Sequence, residues 1–463
     1  MVTFFERKNC WLLGIVLFLP AGVLIAQQKT YKLSELAEMA KHHLPALLQK
    51  QALVNSATAS LTEAKHSFLP QVRITDQVNV GTDNSLAGSY LPMVPTPSSS
   101  AGVRAGNNYR PVTGNIGVLY GEYELLNFGL HKAILKNANA HIDLQQADLE
   151  SELYSIQENT ARAYFNLLRA QYRLGADKQN TDRYDSIFKV IQALAASGIK
   201  PGADSSLAMA ELSRAKITYN QTLGNYFQLK EQLSYLTGIP AASLQIDSLA
   251  NDLADKSPFT VFGRDTVDNP LLDYYVKRNN IILTDQAVIR KSYLPKVILA
   301  GGSWIRGSGI QYNDDYKSFA SGLGYQRFNY MGGLAVTYNL FNGLYKKDRL
   351  AVNRFQLQAS GYELEQQKLA LNLDAAQADN ALQTNEANLL ELPVQLKAAA
   401  DTYRQKLAQY KAGIISLIDL TNASFVLYRS QTDFIETKND WFLAQLDKAA
   451  ATGNLIKFIQ IVK

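Results

Sequence analysis

Two aspartates are the residues best placed to do chemistry. Asp204 and Asp419 lie 215 residues apart, each six positions past the glycine of a Gly-Ile pair, Gly198-Ile199 and Gly413-Ile414. A carboxylate just beyond a glycine turn suits the first turn of a helix, where free backbone amides and the positive end of the helix dipole favour it. Elsewhere the inventory is thin. The five histidines, His42, His43, His66, His131 and His141, all fall in the first half. The adjacent pair cannot converge on one ion from a regular helix, and no cysteine or carboxylate spacing completes a zinc set. These histidines read as helix-surface residues, and no metal is expected. No G-x-S-x-G, Walker-type loop or H-E-x-x-H occurs in the chain, so hydrolytic and nucleotide chemistry lack their usual groups. The chain is not read as an enzyme, and no cofactor is expected.

The spacing of the aspartates is part of a larger duplication. Ser67-Phe-Leu-Pro-Gln-Val72 returns as Ser292-Tyr-Leu-Pro-Lys-Val297, an offset of 225 residues. Tyr123-Glu-Leu-Leu-Asn127 returns as Tyr338-Asn-Leu-Phe-Asn342 at an offset of 215, which the Gly-Ile turns share. An offset that shortens once describes two copies of one architecture differing in a single loop, and a repeat of this length is a duplicated domain rather than a solenoid unit. The expected division is a first repeat over 27–237, a connector over 238–269 and a second repeat over 270–463.

Residues 1–26 read as a signal peptide, with Arg7 and Lys8 ahead of the apolar stretch Trp11–Ala26. An uncleaved anchor is the other reading, but 16 apolar residues fall short of the roughly 20 a spanning helix needs. Cys10 precedes the apolar stretch, so the mature chain holds no cysteine and folds without disulfides or a thiolate site. The net charge of +5 drops by one when Glu6, Arg7 and Lys8 leave. Spread over so long a chain, it is no nucleic-acid footprint. No later apolar run approaches 18 residues, so the exported chain is either soluble or crosses a membrane as a β-barrel.

Each half carries the same order: helix, strand, polar loop, strand, two long helices. The sequence predicts helix over Leu33–Ser67 with an interruption at Pro45, strands at Gln71–Val80 and Pro111–Leu126, and a Gly/Ser/Pro/Asn loop between them. The second half repeats this with helix Pro270–Ser292 and strands Lys296–Arg306 and Tyr330–Phe341. In the last strand Tyr330, Leu334, Val336, Tyr338 and Leu340 share one face, and Gly333, Ala335, Thr337 and Asn339 the other. One apolar face and one small or polar face suits a strand between lipid and a wet lumen. Glu122 and Glu124 share a face that should meet water. Tyr90, Tyr109, Tyr120, Tyr123, Trp304, Tyr312, Tyr325, Phe328, Tyr330 and Tyr338 are candidates for an aromatic girdle at the lipid boundary.

The long helices are Leu130–Ser197, which holds no proline, and its counterpart ending near Ala412. Leu135, Ile142, Leu149, Ile156 and Ala163 recur every seven residues, and Leu350, Leu357, Leu364, Leu371 and Ala378 match them 215 residues on. Such columns keep one seam against neighbouring helices. Returning helices are expected at Ala203–Leu236 and Leu417–Leu455, joined through Gly198 and Gly413 at helix C-termini.

Four strands cannot close on themselves, and their open edges would expose unpaired amides to hydrocarbon. Barrels need at least about eight strands, so closure must come from further copies: two at minimum, or three for a wider barrel. These features resemble the TolC-type outer-membrane efflux protein family over essentially the whole mature chain. The resemblance is carried by Leu69-Pro70, Leu294-Pro295, Asn269-Pro270, the Tyr338–Gly343 run and the paired Gly-Ile…Asp segments. It implies an α+β membrane protein whose duplicated helix-strand-strand-helix-helix halves form one third of a trimeric 12-stranded β-barrel plus a long α-helical barrel. It implies an outer-membrane location extending into the periplasm, contact with outer-membrane lipid, and docking onto a periplasmic adaptor and an inner-membrane pump. By position, Asp204 and Asp419 would form acidic rings at the periplasmic tip, where a narrow carboxylate ring attracts cations. Tyr410 would help tie the closed entrance, and Gly198, Ile199, Gly413 and Ile414 would mark the adaptor-contact turns. The chain departs from the family at Ile415, where some members have arginine, and at Asn422, where some have a second gate aspartate. The other function class is an exported coiled-coil surface protein without channel activity.

Overall fold

The computed structural model describes residues 29–86, 102–199, 201–247 and 268–462. The signal-peptide expectation, the middle of the first polar loop with Tyr90, Lys200 and most of the connector lie outside the described residues.

Helices α1 (Leu33–His43) and α2 (Pro45–His66) are separated where the sequence demands it. Leu44 is held extended ahead of Pro45, which then occupies the first helical position, where its missing N–H costs nothing. Strands β2 (Gln71–Gly81) and β3 (Val112–Leu126) follow, then the 67-residue α3 (Leu130–Ala196) and the returning α4 (Gly202–Thr237). The second half gives α5 (Pro270–Ser292), β5 (Lys296–Ser308), β6 (Arg327–Thr337), the 70-residue α6 (Asn342–Lys411) and α7 (Leu417–Ala451). A short α8 (Leu455–Ile461) closes the chain, and a two-residue parallel ribbon joins β1 (Thr30–Tyr31) to β4 (Gln245–Ile246).

The main sheet is antiparallel, in the order β2-β3-β5-β6. Its two outer strands pair on one side only. Two corrections concern the last strand and the last helix. β6 begins three residues earlier than the alternation suggests and ends at Thr337 rather than Phe341. Asn339 is the cause: its side chain accepts a hydrogen bond from the Phe341 amide (2.9 Å) and its carbonyl one from the Asn342 amide (3.1 Å). This turns the chain while the apolar alternation continues. Helix α7 stops at Ala451 because Gly453 turns left-handed (φ +73°), and a separate helix starts at Leu455. Asn269 braces this end. Its Nδ2 donates to the carbonyls of Ala450 (2.8 Å) and Ala451 (3.0 Å), while its Oδ1 caps α5 at the Leu271 amide.

The buried seam of α3 is not the leucine column. Leu135, Ile142 and Leu149 are half-buried, whereas Ala133, Ala140, Ala147, Tyr154, Ala161 and Leu168 recur every seven residues and are all buried. Alanine gives little apolar signal in sequence, yet small side chains let neighbouring helix axes approach closely. Further down, Ile156 and Ala163 do join the core, as do Leu371 and Ala378 at the repeat offset. Helix α6 runs unbroken through Pro393, which leaves the Leu389 carbonyl without its helical donor. The main core lies at mid-length, around Phe165, Phe442, Phe458, Leu233, Leu244 and Leu455. No described helix is long and apolar enough to cross a membrane.

Candidate functional site

Both hairpin tips have one geometry. Gly198 and Gly413 sit at φ +74°, and their amides donate to Ala195 and Tyr410 carbonyls (3.0 Å each). The following amides of Ile199 and Ile414 reach back to Leu194 (3.0 Å) and Gln409 (2.9 Å). This is the paired Schellman closure that a glycine makes possible. It leaves Ile199 and Ile414 pointing outward, 66 % and 72 % exposed.

The two aspartates differ in their surroundings. Asp419 belongs to a capping box: its Oδ2 accepts from the Ser416 hydroxyl (2.6 Å) and amide (3.1 Å), while the Asp419 amide donates to Ser416 Oγ (3.3 Å). Those hydrogen bonds hold its carboxyl below the usual range, the Ser416 hydroxyl contributing most. Asp204 has proline at its cap position and makes only a backbone contact there, its amide donating to Pro201 (3.1 Å). It is half-buried and close enough to Tyr410 to help raise that phenol, an effect second to burial. Tyr410 is 4 % exposed and packs in a cluster that joins all four long helices, with Ile187, Ile191, Leu212, Leu417 and Leu420. Ile415 packs against the same cluster. The structure therefore gathers Tyr410 and Asp204, and keeps Asp419 at the start of α7 with Asn422 one turn further along the same helix. Asn422 lines a cavity of about 220 Å³ with Tyr184, Glu211, Arg214 and Phe425.

A depressed carboxyl gives the tip a pH dependence of known sign. The folded pKa lies below the unfolded value, so the cap is intact above the ordinary carboxylate range and is lost as pH falls through the lower, folded value. Opening at the start of α7, read as amide exchange relative to the intrinsic rate at each pH, should therefore rise on acidification, and Asp419→Asn should remove that acid-side rise. A rise that persists in the variant would assign it to another group.

Sequence reasoning missed a polar clamp higher on the hairpins. Asp177, with a side chain only 1 % exposed, accepts from the Tyr428 hydroxyl (2.6 Å), and Arg173 donates to that hydroxyl (3.1 Å). Arg173 and Arg169 both reach Glu436 (3.1 and 3.3 Å). Burial, and then the bond to Asp177, push the Tyr428 phenol up to about 12. The clamp fastens α3 to α7 about 29 Å above the tip, counting 1.5 Å per residue from Asp177 to Ala196.

At the opposite end, the register separates two sheet faces. Val72, Ile74, Val78, Leu119, Tyr123, Leu299, Ile305, Phe328, Tyr330, Leu334 and Val336 share one. Gln71, Arg73, Thr75, Gln77, Glu122, Glu124, Lys296, Arg306 and Arg327 share the other, where Arg73 pairs with Glu122 (3.3 Å) and Lys296 with Glu124 (3.0 Å). Of the girdle candidates, Tyr123, Phe328 and Tyr330 lie on the apolar face. Tyr120 and Trp304 lie on the charged one, and Tyr338 falls beyond the strand. Asp76, exposed on the apolar face, is hydrogen-bonded by the Tyr325 hydroxyl from the β5–β6 connection.

Residues 36–239 and 288–454 match the outer membrane efflux protein family. No curated protein sequence matches the chain. Among solved structures, the outer membrane protein VceC from Vibrio cholerae superposes with a TM-score of 0.73 at 15 % identity, covering 91 % of this chain and 96 % of that one. The Campylobacter jejuni CmeC outer membrane channel gives 0.70 at 16 % identity, with 91 % and 86 % covered. The open state of the Neisseria gonorrhoeae MtrE outer membrane channel gives 0.67 at 15 % identity, with 92 % and 89 % covered.

Proposed function

Because this chain belongs to the outer membrane efflux protein family, whose members are outer-membrane channels, we propose that three copies build one passive exit duct through the outer membrane and periplasm. The observation that carries this reading is the open sheet β2-β3-β5-β6, with one apolar and one charged face. An even number of antiparallel strands lets β6 of one copy meet β2 of the next in the same alternation. Three copies then make a twelve-stranded barrel with no free edge. The apolar face meets lipid and the charged face lines water. Below the barrel, four long helices per copy form the wall of a periplasmic tunnel.

The tip is the entrance. Asp204 and Asp419 supply carboxylates around it, and the packing of Tyr410 holds the two hairpins together. The exposed Ile199 and Ile414, fixed by Gly198 and Gly413, offer matched apolar knobs to a periplasmic adaptor, through which an inner-membrane pump drives export. Asn422, one turn beyond Asp419, serves as a wall residue of the cavity it shares with Tyr184 and Arg214. The exported coiled-coil alternative leaves the apolar sheet face and both strand edges without cover.

The deciding experiment is sedimentation of the detergent-solubilised chain followed by single-channel recording. Trimers that conduct with a preference for cations, and lose that preference when Asp204 and Asp419 are both alanine, are expected. A stable monomer, or trimers that leave bilayers impermeable, would reject the duct. Unchanged selectivity in the double variant would reject the acidic entrance alone.

A further inference from the structure

The charged sheet face holds an imbalance at its end far from the helices. Its rows run Gln71–Glu122–Ala300–Gly333, then Arg73–Tyr120–Gly302–Met331, then Thr75–Val118–Trp304–Asn329, and last Gln77–Ile116–Arg306–Arg327. Arg306 and Arg327 are direct cross-strand partners, and both are exposed. Like charges placed directly opposite destabilise a sheet, so the pair carries a cost that the fold does not need.

Nothing on that face offsets the cost. The acids available, Glu122 and Glu124, are already held by Arg73 and Lys296. Glu122 is also three rows away, about 20 Å along the strand at about 3.3 Å per residue. Asp76 lies on the opposite face. In the connecting loops Asp314 is bound by Arg104 (3.0 Å) and Asp315 by Lys317 (2.5 Å), while Asp83 accepts from the Ser85 hydroxyl (3.3 Å). Among the described residues neither guanidinium of the pair has a hydrogen-bond or ion-pair partner.

We propose that Arg306 and Arg327 form an oxyanion-binding collar just inside the outer mouth, which engages phosphate- or carboxylate-bearing cargo as it leaves. This rests on the trimeric duct proposed above, in which two arginines from each of three chains encircle the lumen. Guanidinium forks match such oxyanions in shape, and adjacent forks can hold one anion between them. A narrow lumen with a low-dielectric wall concentrates their field. The duct then has opposite ends: carboxylates where cargo enters and guanidinium groups where it departs.

The test is side-specific block by sodium tripolyphosphate in planar bilayers holding full-length trimers of known orientation. Block from the barrel side is expected at concentrations roughly tenfold lower than from the helical tip, as charge-assisted pairing at a rim would give. It should weaken as salt rises from about 0.1 M to 1 M and the screening length shrinks from about 10 Å to 3 Å. The sidedness should persist in the Asp204→Ala/Asp419→Ala background, which separates attraction at the mouth from repulsion at the tip. It should vanish in Arg306→Gln/Arg327→Gln. Conducting trimers that block equally from both sides, or a glutamine variant that blocks like the parent, would overturn the collar and leave the duct standing. Trimers that never conduct would overturn the duct, and the collar with it. If the glutamine variant does not insert, sidedness in the aspartate-free background decides.

Discussion

Arginine at Gly332 is expected to abolish outer-membrane trimers, whereas arginine at the next residue, Gly333, is expected to leave them intact. Both glycines are near the middle of β6, and a side-chain carbon added at either meets open space, the nearest atom to Gly332 being the Ala300 carbonyl at 4.0 Å. Sterics therefore do not distinguish the two substitutions; the face does. Gly332 shares its side with Val72 and Leu334, and a charge there would stand in hydrocarbon. The cost at mid-bilayer is about 2–4 kcal/mol per chain, or about 6–12 kcal/mol over three copies. Gly333 stands on the charged face, in the row of Glu122, where a guanidinium meets water. Heat-resistant trimers on a gel, from isolated outer membranes, read the result. Equal yields for the two variants would show that the faces are assigned wrongly, and the arginine collar would fall as well.

Tyr410→Ala is expected to loosen the entrance. Removing a buried aromatic costs about 3–5 kcal/mol when the site cannot collapse, and every 1.4 kcal/mol is about tenfold in an equilibrium. A shift of about a hundredfold to a few thousandfold toward an open tip follows if that cohesion exists only in the packed state. Single-channel recordings should show long high-conductance dwells. Tyr410→Phe keeps the ring in its cluster and should leave most of the closed population. Asn422→Ala, outside the cluster, should change little. Wild-type dwell times in Tyr410→Ala would mean that the hairpins are joined elsewhere, the Asp177–Tyr428 clamp being the next place to look.

Much of this architecture is legible in the residues because local chemistry and the repeat agree. Pro45 must break a helix, Gly198 and Gly413 must turn, and the same order read twice leaves two strands in each half. The sequence misleads where apolar pattern and geometry part. Tyr338 and Leu340 prolong the alternation of β6, but a single asparagine side chain ends the strand first. The leucine column of α3 stands out by its hydrophobicity, yet only its lower members Ile156 and Ala163 are buried, whereas the alanine column two residues earlier is buried throughout. The clamp was invisible for another reason. Tyr428 lies 251 residues from Asp177, and the position 215 beyond Asp177 is Leu392, so the repeat gives no second copy to notice. The candidate entrance was half legible. Position placed Asp204, Asp419 and Tyr410 near the tip, but only side-chain geometry shows that Ser416 occupies one carboxylate while proline leaves the other uncapped.

The proline within α6 sets the two halves apart mechanically. Below Pro393 lie the last 18 residues of that helix, a lever about 27 Å long hung from a rung already missing. The matching place in α3 is Lys178, whose amide keeps that rung. Each copy thus carries one continuous long helix and one with a missing rung. In the proposed tunnel, with four helices per copy, one slat in four would then yield first, on the stretch that runs toward the hairpin tips.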